Sequence, residues 1–268
     1  MYSVSDMRAY AERLGFKEAY MAEKDYLQEL LLRALFTKIP ENRLVFRGGT
    51  ALAKIYGSGR FSDDLDFVVN GLQNTETLLK SVKEAIKSIN AMYETTFTGP
   101  NTYKDMLGYD VKINGPLFMA SMHDASRQNI SLDINTYESV VLPPINIIRT
   151  PIYSDIPPYS LSVKCLEELL MDKVAALMER KRLTARDLYD IWIILMKNSS
   201  NLDKSKVLKA YSAYNKRKGS VSYNSLVSKI NAVNPAWKNE IGSLVNFSID
   251  FDDVAKETKS RLKDIFKL

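Results

Sequence analysis

Two acidic residues one position apart, Asp64 and Asp66, lie in the run Arg60-Phe61-Ser62-Asp63-Asp64-Leu65-Asp66-Phe67. Leu65, Phe67 and Val69 alternate around them with the periodicity of a strand. On a strand, Asp64 and Asp66 share one face at a Cα separation of roughly 7 Å, with Leu65 on the other face. Carboxylates that close repel unless a cation sits between them. The pattern predicts a Mg²⁺ site, with Mn²⁺ as the alternative ion. Mg²⁺ takes one or two carboxylates and completes its shell with water and substrate phosphate. A third candidate ligand is Asp133, in Asn129-Ile130-Ser131-Leu132-Asp133-Ile134-Asn135. Alternation sets Ser131, Asp133 and Asn135 on one face and the three apolar residues on the other. Asp133 then either completes the metal site or faces solvent from an antiparallel strand.

Upstream, Gly48-Gly49-Thr50 stands between the apolar run Leu44-Val45-Phe46 and the helix-like stretch from Ala51. Glycines at a strand-to-helix turn let the backbone approach phosphate oxygens, and the free N–H groups of the helix start face them. The Thr50 hydroxyl adds a further donor. The alternative is a tight turn in which Thr50 is only a helix cap. Arg60 and Ser62 are the remaining candidate nucleotide contacts.

A second cluster is helical: Glu167-Glu168, Lys173, Arg180-Lys181-Arg182 and Arg186-Asp187-Leu188-Tyr189-Asp190. Lys173, Leu177 and Arg180 share a helix face. Lys173 lies in an apolar helix, so it buries its stem and carries its ammonium to a pocket. Asp187 starts the next helix and is its candidate partner. The two readings are a structural ion-pair network and a part of the reactive site.

The elements that position these groups follow from pattern. Ser5–Lys38 reads as two helices interrupted at Gly15, with Ser5 or Asp6 as the first cap. Strands are expected at 44–46 and 65–69, a helix at 75–92, and β-rich chain over 93–150. The proline-bearing stretch 150–160 reads as a linker. Helices follow from 162, including patterns near 203–215, 222–232 and 252–267. The expected architecture is an α/β domain over 1–155 and a helical domain over 156–268.

Composition narrows the class. The chain has 268 residues, 46% hydrophobic and 26% charged, which excludes extensive disorder. Its one cysteine, Cys165, cannot form an internal disulfide, so an intracellular protein is expected with Cys165 in the core. Its one histidine, His123, excludes a poly-His zinc site. No uncharged apolar run approaches the roughly 18 residues of a membrane span. The charged, amphipathic N-terminus is unlike a signal peptide. A soluble cytoplasmic protein is expected. Residues 201–268 carry thirteen basic against seven acidic side chains, so the positive excess is concentrated there. Lys216-Arg217-Lys218, with Tyr211, Tyr214 and Tyr223 nearby, is either an RNA surface or a solvated helix face with core tyrosines.

Glu23-Lys24-Asp25-Tyr26, Phe46-Arg47-Gly48-Gly49-Thr50-Ala51-Leu52, the Arg60–Phe67 run, and Lys173, Arg180 and Arg186–Asp190 together resemble the AbiEii/AbiGii toxin family. This is the nucleotidyltransferase toxin component of type IV toxin–antitoxin and abortive-infection systems, and it includes the MenT toxins. The matching motifs run from about residue 23 to 192. The resemblance implies a DNA polymerase β-like nucleotidyltransferase core with a mixed sheet and a helical C-terminal domain. It implies nucleotide binding at Gly48, Gly49 and Thr50, where many relatives carry serine in place of the threonine. The metal pair falls on Asp64 and Asp66, a phosphate-binding lysine on Lys173 and a later essential aspartate on Asp187. It further implies transfer of NMP from an NTP to RNA, at the 3′ end of tRNA, and a cognate antitoxin. Transfer to a protein or a small molecule is the enzymatic alternative. A catalytically inactive antitoxin- or RNA-binding protein is the non-enzymatic one.

Overall fold

The computed structural model describes residues 2–71, 75–103, 106–137, 140–197 and 202–267. The chain divides into two compact units. The first comprises Met1–Ala51, Phe61–Val140 and Pro144–Val163; the second comprises Leu52–Arg60, Val141–Pro143 and Lys164–Leu268.

Among the described residues the first unit holds a seven-stranded mixed sheet and four α-helices, of which α3 has its last residues, from Leu52, in the second unit. The helices are α1 (Val4–Leu14), α2 (Ala19–Lys38), α3 (Gly48–Lys54) and α4 (Thr75–Ile89). The strands are β1 (Leu44–Arg47), β2 (Leu65–Val69), β3 (Thr95–Tyr103), β4 (Met106–Ile113), β5 (Gln128–Asn135), β6 (Ile145–Arg149) and β7 (Tyr159–Val163). Their order across the sheet is β3-β4-β5-β2-β1-β7-β6. β2 runs parallel to β5, and β1 parallel to β7; the other neighbours are antiparallel. Ser3 rather than Ser5 caps α1, in a reciprocal capping box with Asp6.

β7 differs from the expectation of a linker followed by helix. Tyr159–Val163 pairs with β6 and, through Val163, with Phe46 of β1. Residues 156–163 are therefore part of the sheet unit, while residues 52–60 are part of the helical one.

The unusual element is α2. Its spacing predicts an apolar stripe, and Leu27, Leu31 and Leu35 are indeed buried. Buried with them are Glu23, Gln28 and Glu29, each at most 1% exposed. A buried carboxylate is tolerable only when paired and hydrogen-bonded. Glu29 accepts from Arg149 Nη2 at 2.8 Å and from the Tyr159 hydroxyl at 2.8 Å, so it reaches β6 and β7 together. Glu23 accepts from the Leu117 N–H and from Gln128 Nε2, both at 2.6 Å. Phe36 packs 6.2 Å from Phe67, centroid to centroid, which sets Phe67 toward α2 and turns Asp66 to the opposite face of the sheet.

The second unit contains α5 (Leu166–Glu179), α6 (Ala185–Lys197), α7 (Lys204–Lys218), α8 (Tyr223–Asn231), α9 (Asn234–Leu244) and α10 (Phe251–Phe266). The helix α9, opened by Pro235 in its first turn, is an element that periodicity did not suggest. The core includes Leu169, Leu170, Val174, Leu188, Ile194, Leu226 and Leu262, with Leu52 packed among them. Cys165 is a buried core residue, and burial first of all pushes its thiol up to about 12, so it is no nucleophile at neutral pH. Among the described residues no helix is long and apolar enough to cross a membrane.

Replacing Glu29 by Ala strips Arg149 and Tyr159 of a shared buried acceptor. The expected cost is about 2 kcal/mol, because the guanidinium is partly exposed and recovers some hydration. That corresponds to a fall in Tm of roughly 4–8 °C, read by thermal unfolding.

Candidate active site

The sheet register builds one row of residues on the face away from α2. Arg47 of β1 is opposite Asp66 of β2, Asp66 is opposite Asp133 of β5, and Asp133 is opposite Gly108 of β4. Opposed residues on neighbouring strands share a face. Ile130, Leu132 and Ile134 are fully buried, while Ser131, Asp133 and Asn135 are half-buried, as their alternation predicts. Asp64 lies one residue before β2 and is exposed. Asp110 of β4 is opposite Ser131 and receives a long hydrogen bond of 3.4 Å from its hydroxyl.

The electrostatics follow from this crowding. Burial, and then the negative charges of Asp66, Asp64 and Asp110, push the Asp133 carboxyl above the usual aspartate range. So Asp64, Asp66 and Asp133 are brought together, and Asp110 joins them. Asp110 and Gly108 are the members that sequence reasoning missed. The alternation of Tyr109, Val111 and Ile113 was the available signal for the face of β4.

Two glycines make the room. Gly48 has φ of +79°, and a Cβ there would overlap the Asp66 carboxylate, standing 2.8 Å from its Cγ. Gly48 is thus required both by its backbone and by its neighbour. A Cβ on Gly108 would stand 3.2 Å from Asp133 Oδ1. Beside Asp133 an open cavity of about 360 Å³ is lined by Asn101, Gly108, Asp110 and Ser131 among others. The donors are hard oxygens with space left by glycine, and this suits Mg²⁺. Among the described residues no three or more acidic, His or Cys side chains are placed so that together they could hold a metal ion, so the protein would offer at most two carboxylates. A bound ion would draw its remaining ligands from water and substrate phosphate.

Thr50 has a different place from the one expected. It is 1% exposed, and its hydroxyl donates to the Asp64 carbonyl and bonds Ser62 Oγ at 2.9 Å. The hydroxyl ties the glycine turn to the segment that leads into β2. Gln28 Nε2 donates to the carbonyls of Ser62 and Asp63 at 3.0 and 2.8 Å. Lys24 pairs with Asp63 at 3.0 Å, which turns Asp63 away from the carboxylate row as alternation predicts. Gly49 is buried beside Thr50.

The second unit holds the other cluster. Arg60, expected at a nucleotide, is 3% exposed and donates through Nε and Nη2 to the two oxygens of Asp190, each at 2.7 Å. Its guanidinium fork is spent on a buried carboxylate. Lys173 lies 2.9 Å from Asp190 Oδ2 and 3.4 Å from Asp187 Oδ1. Asp187 also accepts from Arg180 at 2.8 Å and from the Thr184 hydroxyl at 2.9 Å. Asp187 and Lys173 therefore meet, as the sequence suggests, and Asp190 is the member it left without a role. Burial would raise the Asp190 carboxyl, but the charges and hydrogen bonds of Arg60 and Lys173 outweigh it and hold it below the usual range. Glu167 and Glu168 are clamps: Glu167 accepts from the Asp203 N–H, and Glu168 from the N–H groups of Val141 and Leu142.

Two outcomes follow. Asp133→Asn removes one of several crowded negative charges, so without divalent ions Tm should rise, by roughly 2–4 °C if about 1 kcal/mol of repulsion is relieved. A scan in EDTA checks this. For Asp190 the folded pKa is depressed, so its stabilisation is present above the unfolded aspartate value and is lost as pH falls through the folded one. Asp190→Asn should cost at least about 3 kcal/mol at neutral pH by leaving two cations short of a buried partner. In acid titrations of stability the loss carried by Asp190 should be missing from this variant.

Comparison with known proteins bears on the fold and on the family. The structure of JHP933 from Helicobacter pylori is similar at a TM-score of 0.57 and 21% identity, covering 91% of this chain and 93% of that one. A second H. pylori structure, provisionally assigned as a nucleotidyltransferase, is similar at a TM-score of 0.60 and 19% identity, covering 91% and 96%. Both likenesses concern the fold. No curated protein matches the sequence. The sequence model of the nucleotidyl transferase AbiEii toxin family, type IV toxin–antitoxin system, matches residues 29–257, which span both units. The chain belongs to that family of nucleotidyltransferase toxins.

Proposed function

We propose that the protein is a Mg²⁺-dependent toxin that transfers NMP from an NTP to RNA, at the 3′ end of tRNA, and so blocks aminoacylation. The observation that carries the reading is the pair Asp66 and Asp133, opposed on parallel strands with Gly48 and Gly108 leaving space beside their carboxylates. Like charges side by side, with space left next to them, suit a cationic ligand. Bound Mg²⁺ supplies neutralisation of the triphosphate during in-line displacement.

The chain's own residues then have distinct tasks. Asp64 and Asp66 would hold the metal, with Asp133 beside Asp66 as the alternative second carboxylate. The Gly48 and Gly49 backbone receives phosphate oxygens. Thr50 and Ser62 act at one remove, by fixing the glycine turn to the Asp64 carbonyl. Lys173 stabilises negative charge on the leaving pyrophosphate. An ammonium has three N–H groups, and Asp187 and Asp190 account for two. Asp187 orients Lys173, since its oxygens are already committed to Lys173, Arg180 and Thr184. A cognate antitoxin is the regulatory partner.

The test is incubation with each α-phosphate-labelled NTP, Mg²⁺ and total tRNA. Label should enter tRNA with the wild type and fall at least a hundredfold with Asp66→Asn or Lys173→Ala. Label entering polypeptide or a small molecule instead would move the acceptor while keeping the carboxylate site. Absence of NTP binding would overturn the catalytic reading.

A further inference from the structure

The geometry points to the groove between α8 and α10 as the docking surface for a strand of the acceptor RNA, with Tyr223 as a platform for one base. The inference rests on the reading of the acceptor as RNA. The groove has a volume of about 420 Å³, and its lining includes Tyr223, Asn231, Asp252, Lys256, Lys259 and Lys263. Lys256, Lys259 and Lys263 follow one another at spacings of three and four on one face of α10. At 1.5 Å per residue their backbones span roughly 10 Å. That length matches two or three successive phosphates of a strand better than one compact anion.

The groove wall holds these cations in place. Lys263 Nζ lies 5.3 Å from the centroid of the Tyr223 ring, a cation–π contact. Lys259 donates to Asn231 Oδ1 at 2.6 Å. Asp252 is the carboxylate at the N-terminal end of α10. Three other residues of this region are committed elsewhere. Tyr211 stacks on Phe266 at 4.2 Å and 15°, Tyr214 is buried, and Lys218 pairs with Glu179. Three of the thirteen basic residues of 201–268 thus line one concavity beside the partly exposed ring of Tyr223. Lysines are depleted from the centres of protein–protein interfaces, whereas lysine with a partly exposed ring is the usual means of holding a nucleic-acid strand.

The experiment is fluorescence anisotropy of the full chain with labelled tRNA, without NTP, over a series of salt concentrations. The Lys256→Ala/Lys259→Ala/Lys263→Ala variant should bind more weakly, and its log Kd–log salt slope should be shallower by about 2. Arginine at the same positions should restore the slope. Tyr223→Leu should weaken binding about tenfold and Tyr223→Phe should not. A triple-alanine variant with the wild-type slope, Tyr223→Leu with wild-type affinity, or a wild type that does not bind RNA would each overturn the proposal. Because NTP is absent, such a failure leaves nucleotidyl transfer itself standing. Loss of labelling with RNA binding intact would strike the catalytic reading and leave the groove.

Discussion

The repulsion between Asp66 and Asp133 is the constraint around which the sheet unit is organised. Opposed on parallel strands, these carboxylates cannot move apart without breaking the β2–β5 ladder. Asp64 and Asp110 add to the same field. Left alone, such a cluster would favour a twisted or frayed strand. The surrounding structure opposes this by fixing the backbone around the carboxylates. Gln28 holds two carbonyls before β2, Thr50 holds a third, and Phe67 is anchored on the covered face.

The helical unit solves an opposite problem. Asp187 and Asp190 are each paired with two cations, and they organise rather than repel. Asp190 is fully buried between Arg60 and Lys173, and Asp187 between Lys173 and Arg180. Charges in such a chain share partners, so removing any one unsettles its neighbours. The arrangement gives Lys173 a single orientation, which a flexible four-carbon stem would not otherwise have.

Period-two patterning made β2 and β5 readable, including which face each residue takes. The Gly48-Gly49-Thr50 turn and the pairing of Lys173 with Asp187 were readable from residue type and spacing. Local pattern did not reveal partners that are distant in sequence. Glu23 and Glu29 resemble surface residues of an ordinary helix until Leu117 and Arg149 arrive, 94 and 120 positions later. Arg60 resembles a phosphate ligand until Asp190 is placed against it. β7 was hidden by its brevity and by Pro157-Pro158, which read as linker. Asp110 and Gly108 gain meaning only through the register of β4 on β5.

The interleaving of the two units has a consequence for the order in which the protein can be made. The strap 52–60 joins the glycine turn to the aspartate strand, yet its anchor, Arg60, finds Asp190 only 130 residues later. Tyr189 likewise closes on the Ser58 carbonyl across 131 residues. During synthesis the early motifs emerge first and wait, with the strap between them unfastened, until α6 has been translated. The strap is thereby fastened only once α6 has been made, and a chain interrupted before α6 lacks that fastening.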